Sequence, residues 1–160
     1  MVTPARRAAE QARQQGRGHD GIFCGAAVEL PDGRLVTGKN SALLHAASAC
    51  VLNAVKHLAG IPDAIPLLSG LVLQSVNEMK TKILGGAQVS LNLEETLIAL
   101  SVSAAANPMA QAALQQLERL NGCEMHLTHI PTPGDESGLR RLGVNLTCDQ
   151  NFSSRFLHAV

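Results

Sequence analysis

Two junctions, each leading from a predicted strand into a predicted helix, carry the residue types that could do chemistry in this chain. The first is Thr37-Gly38-Lys39-Asn40-Ser41, with His45 one turn further on. Free backbone N–H groups and the positive end of a helix dipole favour an anion at such a place. Lys39 adds a positive point charge with no acid beside it. Lys39, Asn40 and Ser41 are therefore the first candidates for an anion or polar-ligand contact. The string Gly-Lys-x-Ser is not a Walker loop, because the earlier glycine and its four-residue gap are absent. His45 falls on a polar line with Ser41, Ser48 and Lys56 along an otherwise apolar helix. The alternative for His45 is a hydrogen-bonded histidine at a packing interface.

The second junction is Thr128-His-Ile-Pro-Thr-Pro-Gly-Asp-Glu136, where His129, Thr132 and Gly134 would meet an anion. Asp135 and Glu136 compete for the same N–H groups, which favours a structural loop. Cys123-x-x-His126-x-x-His129 has metal-like spacing. Side chains alternate along a strand, however, sending His126 to one face and Cys123 and His129 to the other. No metal site is assigned. Glu94 and Glu95 resemble a catalytic carboxylate pair, but Asn92 three residues before Glu95 reads as a capping box.

The composition narrows the classes. Within 160 residues there are 13 basic and 13 acidic side chains, no Trp or Tyr, and only three Phe. The chain offers neither the stacking platform nor the basic face that nucleic acid needs. Arg6, Arg7, Arg13 and Arg17 read as a solvated helix face. Cys24, Cys50, Cys123 and Cys148 are scattered without CxxC spacing, which points to reduced thiols and a cytoplasmic setting. Apolar stretches are interrupted well short of the ~20 residues that a membrane span requires. One domain over 1–160 suits the length; residues 1–18 form an exposed N-terminal helix and linker, and no cofactor is implied.

The elements that must position these residues follow from turn and cap chemistry. Ala5–Gln15 is a helix closed by Gly16 and Gly18. Ile22–Leu30 and Arg34–Thr37 form a hairpin around Pro31-Asp32-Gly33. A core helix capped by Asn40 or Ser41 runs to about Leu58, with Gly60 and Pro62 ending it. A short strand at Ala64–Leu68 leads to a helix capped by Ser69 and stopped at Gly85-Gly86. Helices then start at Asn92 and at Asn107-Pro108. Cys123–Ile130 is a strand, Thr132-Pro133 starts a short helix, and Val144–Thr147 is the last strand. The expectation is an α/β domain: three α/β/α layers around a mixed sheet of about five strands.

That order resembles the cytidine-deaminase-like fold, whose members place a metal site at the starts of the two helices after the hairpin. The resemblance implies a pocket lined by Asn40, His45 and Ser69. It does not extend to zinc chemistry. His45-Ala46-Ala47 has alanine where those enzymes have the acid/base glutamate, and Ser69-Gly70-Leu71-Val72-Leu73-Gln74 lacks the Pro-Cys-x-x-Cys thiolates. A zinc hydrolase or deaminase is the third and weakest reading.

Longer phrases carry a closer resemblance: ELPDGRLVTGKNS, AASACVLNAVKHLAGIPD, LEETLIALSVSAAANPMAQAALQQLERLNGCEMHLTHI and GDESGLRRLGVNLTCDQNF. The chain is similar to the C-terminal domain of the bacterial domain-of-unknown-function 1846 family over nearly its whole length. The resemblance implies an excised domain of a longer protein whose upstream portion carries a P-loop-like segment, and makes that portion a partner. It implies no reaction and no catalytic residues. Two readings follow: a domain binding a small phosphorylated or nucleotide-like molecule within a larger protein, or a structural domain forming homo-oligomers through its Ala-rich helices.

Overall fold

A computed structural model describes residues 1–85 and 90–152. Gly86, half of the expected helix stop, lies outside them. The described elements are α1 (Val2–Gln14), β1 (Gly25–Glu29), β2 (Leu35–Lys39), α2 (Ala46–Leu58), α3 (Gly70–Lys82), α4 (Leu93–Ala104), α5 (Pro108–Leu114), a 3-10 turn at Leu117–Leu120, β3 (Glu124–Leu127), α6 (Pro133–Arg141) and β4 (Asn145–Cys148). The strands form one mixed sheet in the order β2-β1-β3-β4. β1 is antiparallel to both β2 and β3, whereas β3 and β4 run parallel. A parallel pair needs a crossover, and α6 supplies it.

The predicted hairpin forms with Gly25 opposite Lys39 and Glu29 opposite Leu35. Gly33 takes φ 81° at the turn, a conformation open to glycine at little cost. β1 starts three residues later than expected. His19 and Ile22 exchange backbone hydrogen bonds of 3.2 and 2.9 Å, and Asp20 and Gly21 between them have φ of 52° and 74°. Two central residues of positive φ are the signature of a tight turn that closes on itself, so Ile22 is committed before the main ladder begins.

α2 also starts later than expected. It begins at Ala46 with His45 at the N-cap, because residues 40–45 are held otherwise. The Ser41 Oγ accepts from the N–H groups of Leu43 and Leu44, both at 3.2 Å. Leu91 N donates to Leu43 O and His45 N donates to Leu91 O, at 2.8 and 3.0 Å. The far end matches expectation: Gly60 has φ 70°, with Gly60 N bonded to His57 O and Ile61 N to Lys56 O, the paired bonds of a Schellman cap.

The fifth strand expected at Ala64–Leu68 is replaced by turns and bends. Pro62 and Pro66 bring no N–H to a ladder, and Lys56 Nζ donates to the carbonyls of Asp63 and Ile65. The capping box at α4 forms: Glu95 N donates to Asn92 Oδ1 and Asn92 N to Glu95 Oε1, each at 3.0 Å. Lys80 Nζ joins Glu95 at 3.0 Å. Glu95 is thus consumed by structure.

Two glycines set the spacing of the layers. A Cβ on Gly25 would lie 2.1 Å from Ala5 O, and one on Gly38 would lie 2.2 Å from Cys50 N. Gly25 and Gly38 lie on opposite faces of the ladder, because Gly38 pairs with Ala26 and successive residues alternate. α1 therefore sits against one face, presenting the buried Ala5, Ala8 and Ala12. α2 sits against the other, with Cys50, Val51, Ala54 and Val55 fully buried. On the α1 side, Arg6 grips Asp149 with Nε and Nη2 at 2.9 and 2.8 Å and holds that carboxyl below its usual range. The buried His126 completes the cluster. Its Nδ1 meets Thr147 Oγ1 at 2.7 Å, and its Nε2 is 3.3 Å from Asp149.

The Gly38 contact is with helix backbone, which no rotamer change relieves. Gly38→Ala is expected to cost ~3 kcal/mol or more, against ~1 kcal/mol for Gly33→Ala, where only the positive φ opposes a side chain. Urea unfolding midpoints check the order. Equal midpoints would show that α2 is not seated on Gly38.

Candidate functional site

The loop before β1, the start of α2 and the loop between β3 and α6 meet around a cleft enclosing about 50 Å³. Its walls include His19, Cys24, Asn40, Ser41, His45, Ala46, Ala47, Ser90, His129 and Asp135. At its centre His45 Nδ1 and Asp135 Oδ2 are 2.7 Å apart. Asp135 is 5% exposed, and its other oxygen accepts from Leu93 N at 2.8 Å. A carboxylate only accepts, so Nδ1 of the neutral ring carries the proton and Nε2 keeps its lone pair. No described residue bonds Nε2.

His129 is fixed in the opposite sense. Thr128 Oγ1 accepts from Gly25 N at 2.9 Å and lies 2.8 Å from His129 Nδ1. With the hydroxyl proton given to His129 Nδ1, the ring carries its own proton on Nε2. Burial, opposed by the field of Asp149, lowers the His129 pKa, which keeps the ring neutral. The cleft thus holds one imidazole edge that accepts and one that donates.

The backbone contributes as well. Ala46 and Ala47 line the cleft as the first residues of α2, a helix with no side-chain cap. The opening N–H groups of a helix have no intrahelical acceptor, and the methyl groups here cover little. Cys24 is present as a thiol: burial first, and then the Asp135 charge, push it up to about 12. It is no nucleophile at neutral pH.

The structure divides the residues named from sequence. His45 and His129 line the cleft. Asn40 and Ser41 line it too, with their polar atoms already engaged. Asn40 Oδ1 accepts from Cys24 N at 2.8 Å and Asn40 Nδ2 donates to Ile22 O at 2.9 Å, while Ser41 closes its local turn. Lys39 reaches Gln15 Oε1 at 3.4 Å and is not part of the wall. Ser69 lies elsewhere, its N–H on Ser103 Oγ at 3.3 Å. Thr132 caps α6 through Asp135 N at 3.4 Å. Gly134 packs on the Asn92 side chain, which an added Cβ would meet at 2.4 Å. Asp135, Cys24, His19 and Ser90 were missed. Asp135 reads locally as a helix-start acid, and its engagement with His45, 90 residues away, leaves no local trace.

Among the described residues no group of three or more His, Cys, Asp or Glu side chains is arranged to hold a metal. His126 faces Thr147 and Asp149, His129 faces the cleft, and the Cys123 thiol points to Arg119 O at 3.6 Å. All four cysteines are free.

Two consequences are measurable. Asn40→Ala strands the buried N–H of Cys24 and is expected to cost ~1–3 kcal/mol, read from urea midpoints; no loss would place Cys24 N in contact with water. In the folded protein at pH 8, iodoacetamide is expected to label the exposed Cys148 and spare Cys24 and Cys50, whose buried thiols are both pushed up to about 12. Mass spectrometry showing labelled Cys24 would contradict the burial.

The model of the C-terminal domain of unknown function DUF1846 matches residues 1–158. A UPF0371 protein of Clostridium botulinum (strain ATCC 19397 / Type A) is 41% identical over 159 residues, covering 99% of this chain and 31% of the relative. One from Clostridium tetani is 39% identical over 158 residues, with the same coverage. Another, from Clostridium botulinum (strain Eklund 17B / Type B), is 45% identical over 132 residues, 82% of this chain and 26% of its own length. The chain thus spans less than a third of the length of these relatives. With a match over almost every residue, it belongs to the DUF1846 C-terminal domain family.

Proposed function

We propose that this domain is the small-molecule-binding part of a larger cytoplasmic protein, and that the cleft at the start of α2 is where the ligand sits. The observation that carries the reading is the 2.7 Å His45–Asp135 contact inside a half-open, partly apolar cleft. A buried carboxylate that orients an imidazole, whose other nitrogen no described residue bonds, supports a ligand-facing role more than a packing one. The start of α2 is one of the two helix starts at which the deaminase-like view puts its pocket; the other, at Ser69, lies away from the cleft.

The ligand class shifts from the expectation based on Lys39. Among the described residues no Lys or Arg lines the cleft, and Asp135 brings negative charge. A polyphosphate is poorly served. The fitting ligand is a small polar molecule with a neutral or singly charged oxygen at the α2 N–H groups and a hydrogen-bond donor toward His45.

The test is a thermal-shift series with acetate, butyrate, inorganic phosphate and AMP. A ligand at ~100 times its dissociation constant adds ~2.7 kcal/mol. The shift is expected to disappear in His45→Ala and to survive Lys39→Ala. An equal shift in His45→Ala would remove the ligand from this cleft.

A second reading, self-association, is supported by a different surface from the one expected. Three alanines of the Ala-rich helices, Ala99, Ala110 and Ala113, are fully buried within the domain itself. α3 instead has no buried residue and exposes Leu71 and Met79, and α4 exposes Ile98 and Val102. A monomer at every concentration reached by sedimentation would dispose of it.

A further inference from the structure

We propose that the cleft hydrolyses a carboxylic ester or lactone, with the His45–Asp135 pair activating water. The inference rests on the ligand-binding reading above and names its chemistry. Four features meet in the cleft. In the neutral ring His45 Nε2 is an acceptor, because Asp135 holds the proton on Nδ1. Asp135 is itself fixed by Leu93 N, so the ring has one orientation. With the Thr128 hydroxyl donating to its Nδ1, His129 presents Nε2–H as a neutral donor. Ala46 and Ala47 bring the uncapped start of α2 to the same wall.

A base beside preorganised N–H donors is the equipment of carbonyl hydrolysis. Water gives a proton to His45 Nε2 as its oxygen bonds the carbonyl carbon. The carbonyl π pair moves onto oxygen, where the α2 N–H groups and His129 Nε2–H receive the charge. Asp135 stabilises the imidazolium. When the tetrahedral adduct collapses, the C–O bond to the alcohol breaks, its electron pair goes to the leaving oxygen, and that oxygen takes the proton from His45. Ester and water become acid and alcohol, and the ring returns to its starting state.

The alternatives fit less well. Cys24 lines the cleft as a buried, protonated thiol, so water and not sulfur is the nucleophile. A phosphate monoester dianion would face Asp135 with no Lys or Arg among the described residues of the wall. A neutral carbonyl needs only the N–H donors that are present.

The experiment uses the purified chain with methyl butyrate and δ-valerolactone, whose slow background excludes adventitious imidazole catalysis, and bis(p-nitrophenyl) phosphate as a contrast. Hydrolysis of either carbonyl substrate is expected, falling ~10²–10⁴-fold in His45→Gln. His57→Gln removes the exposed His57–Asp32 pair on another surface and should leave the rate unchanged. Circular dichroism confirms that each variant is folded. Independently of substrate, ¹⁵N–¹H spectra of the rings should show His45 protonated on Nδ1 and His129 on Nε2.

Reversed tautomers overturn the proposal. So does hydrolysis of the phosphodiester alone, or a butyrate-induced thermal shift that requires His45 with no turnover of any substrate, which leaves the binding reading intact. Neither shift nor turnover overturns both.

Discussion

The Asp135 carboxylate is where three helices are tied together. It stands in the first turn of α6 and accepts a hydrogen bond from the first residue of α4 with one oxygen and from the residue capping α2 with the other. A buried carboxylate is tolerated only when it is hydrogen-bonded, and here each of its oxygens has a partner. Leu93 N, an otherwise orphaned donor at the start of α4, is satisfied in the same contact. The chain around His45 is held by the pairing of Leu43 and His45 with Leu91, so the ring is fixed by its backbone as well as by its partner. Without this carboxylate, the α2 and α4 starts would lose their hydrogen-bonded tie to α6.

Close approach of backbone does the work that large side chains do elsewhere. With no Trp or Tyr in the chain, the layers are brought together by glycine and alanine, at Gly25 against α1 and Gly38 against α2. These contacts fix the depth at which α2 enters the sheet, and so the position of His45, Ala46 and Ala47 relative to Cys24. Core and site share one geometry. The Arg6–Asp149–His126 cluster performs the corresponding task on the far side, joining α1 to β3 and the end of β4.

The hairpin, the helix caps at Asn92, Asn107 and Thr132, and the stop at Gly60 were legible because each depends on residues within a few positions of one another. The late start of α2 was not. Asn40 and Ser41 have the chemistry of an N-cap, but Asn40 is drawn to Cys24 and Ile22, and Ser41 to its own turn. Leu91 then claims the backbone that would have opened the helix. The strand expected at Ala64–Leu68 failed for a similar reason, since Lys56 takes its carbonyls.

Sequence alone determined the α/β class, the helix and hairpin order, the family, and His45 and His129 as candidate site residues, because periodicity, turn chemistry and long shared phrases are local properties of the chain. Tertiary structure decided which of those residues meet. It turned Lys39 away to Gln15, left Ser69 beside Ser103, and brought Asp135 across 90 positions to His45. The physical reason is that a hydrogen bond is satisfied by whatever lies within about 3 Å. That neighbour is chosen by the packing of sheet and helices, which no local pattern records.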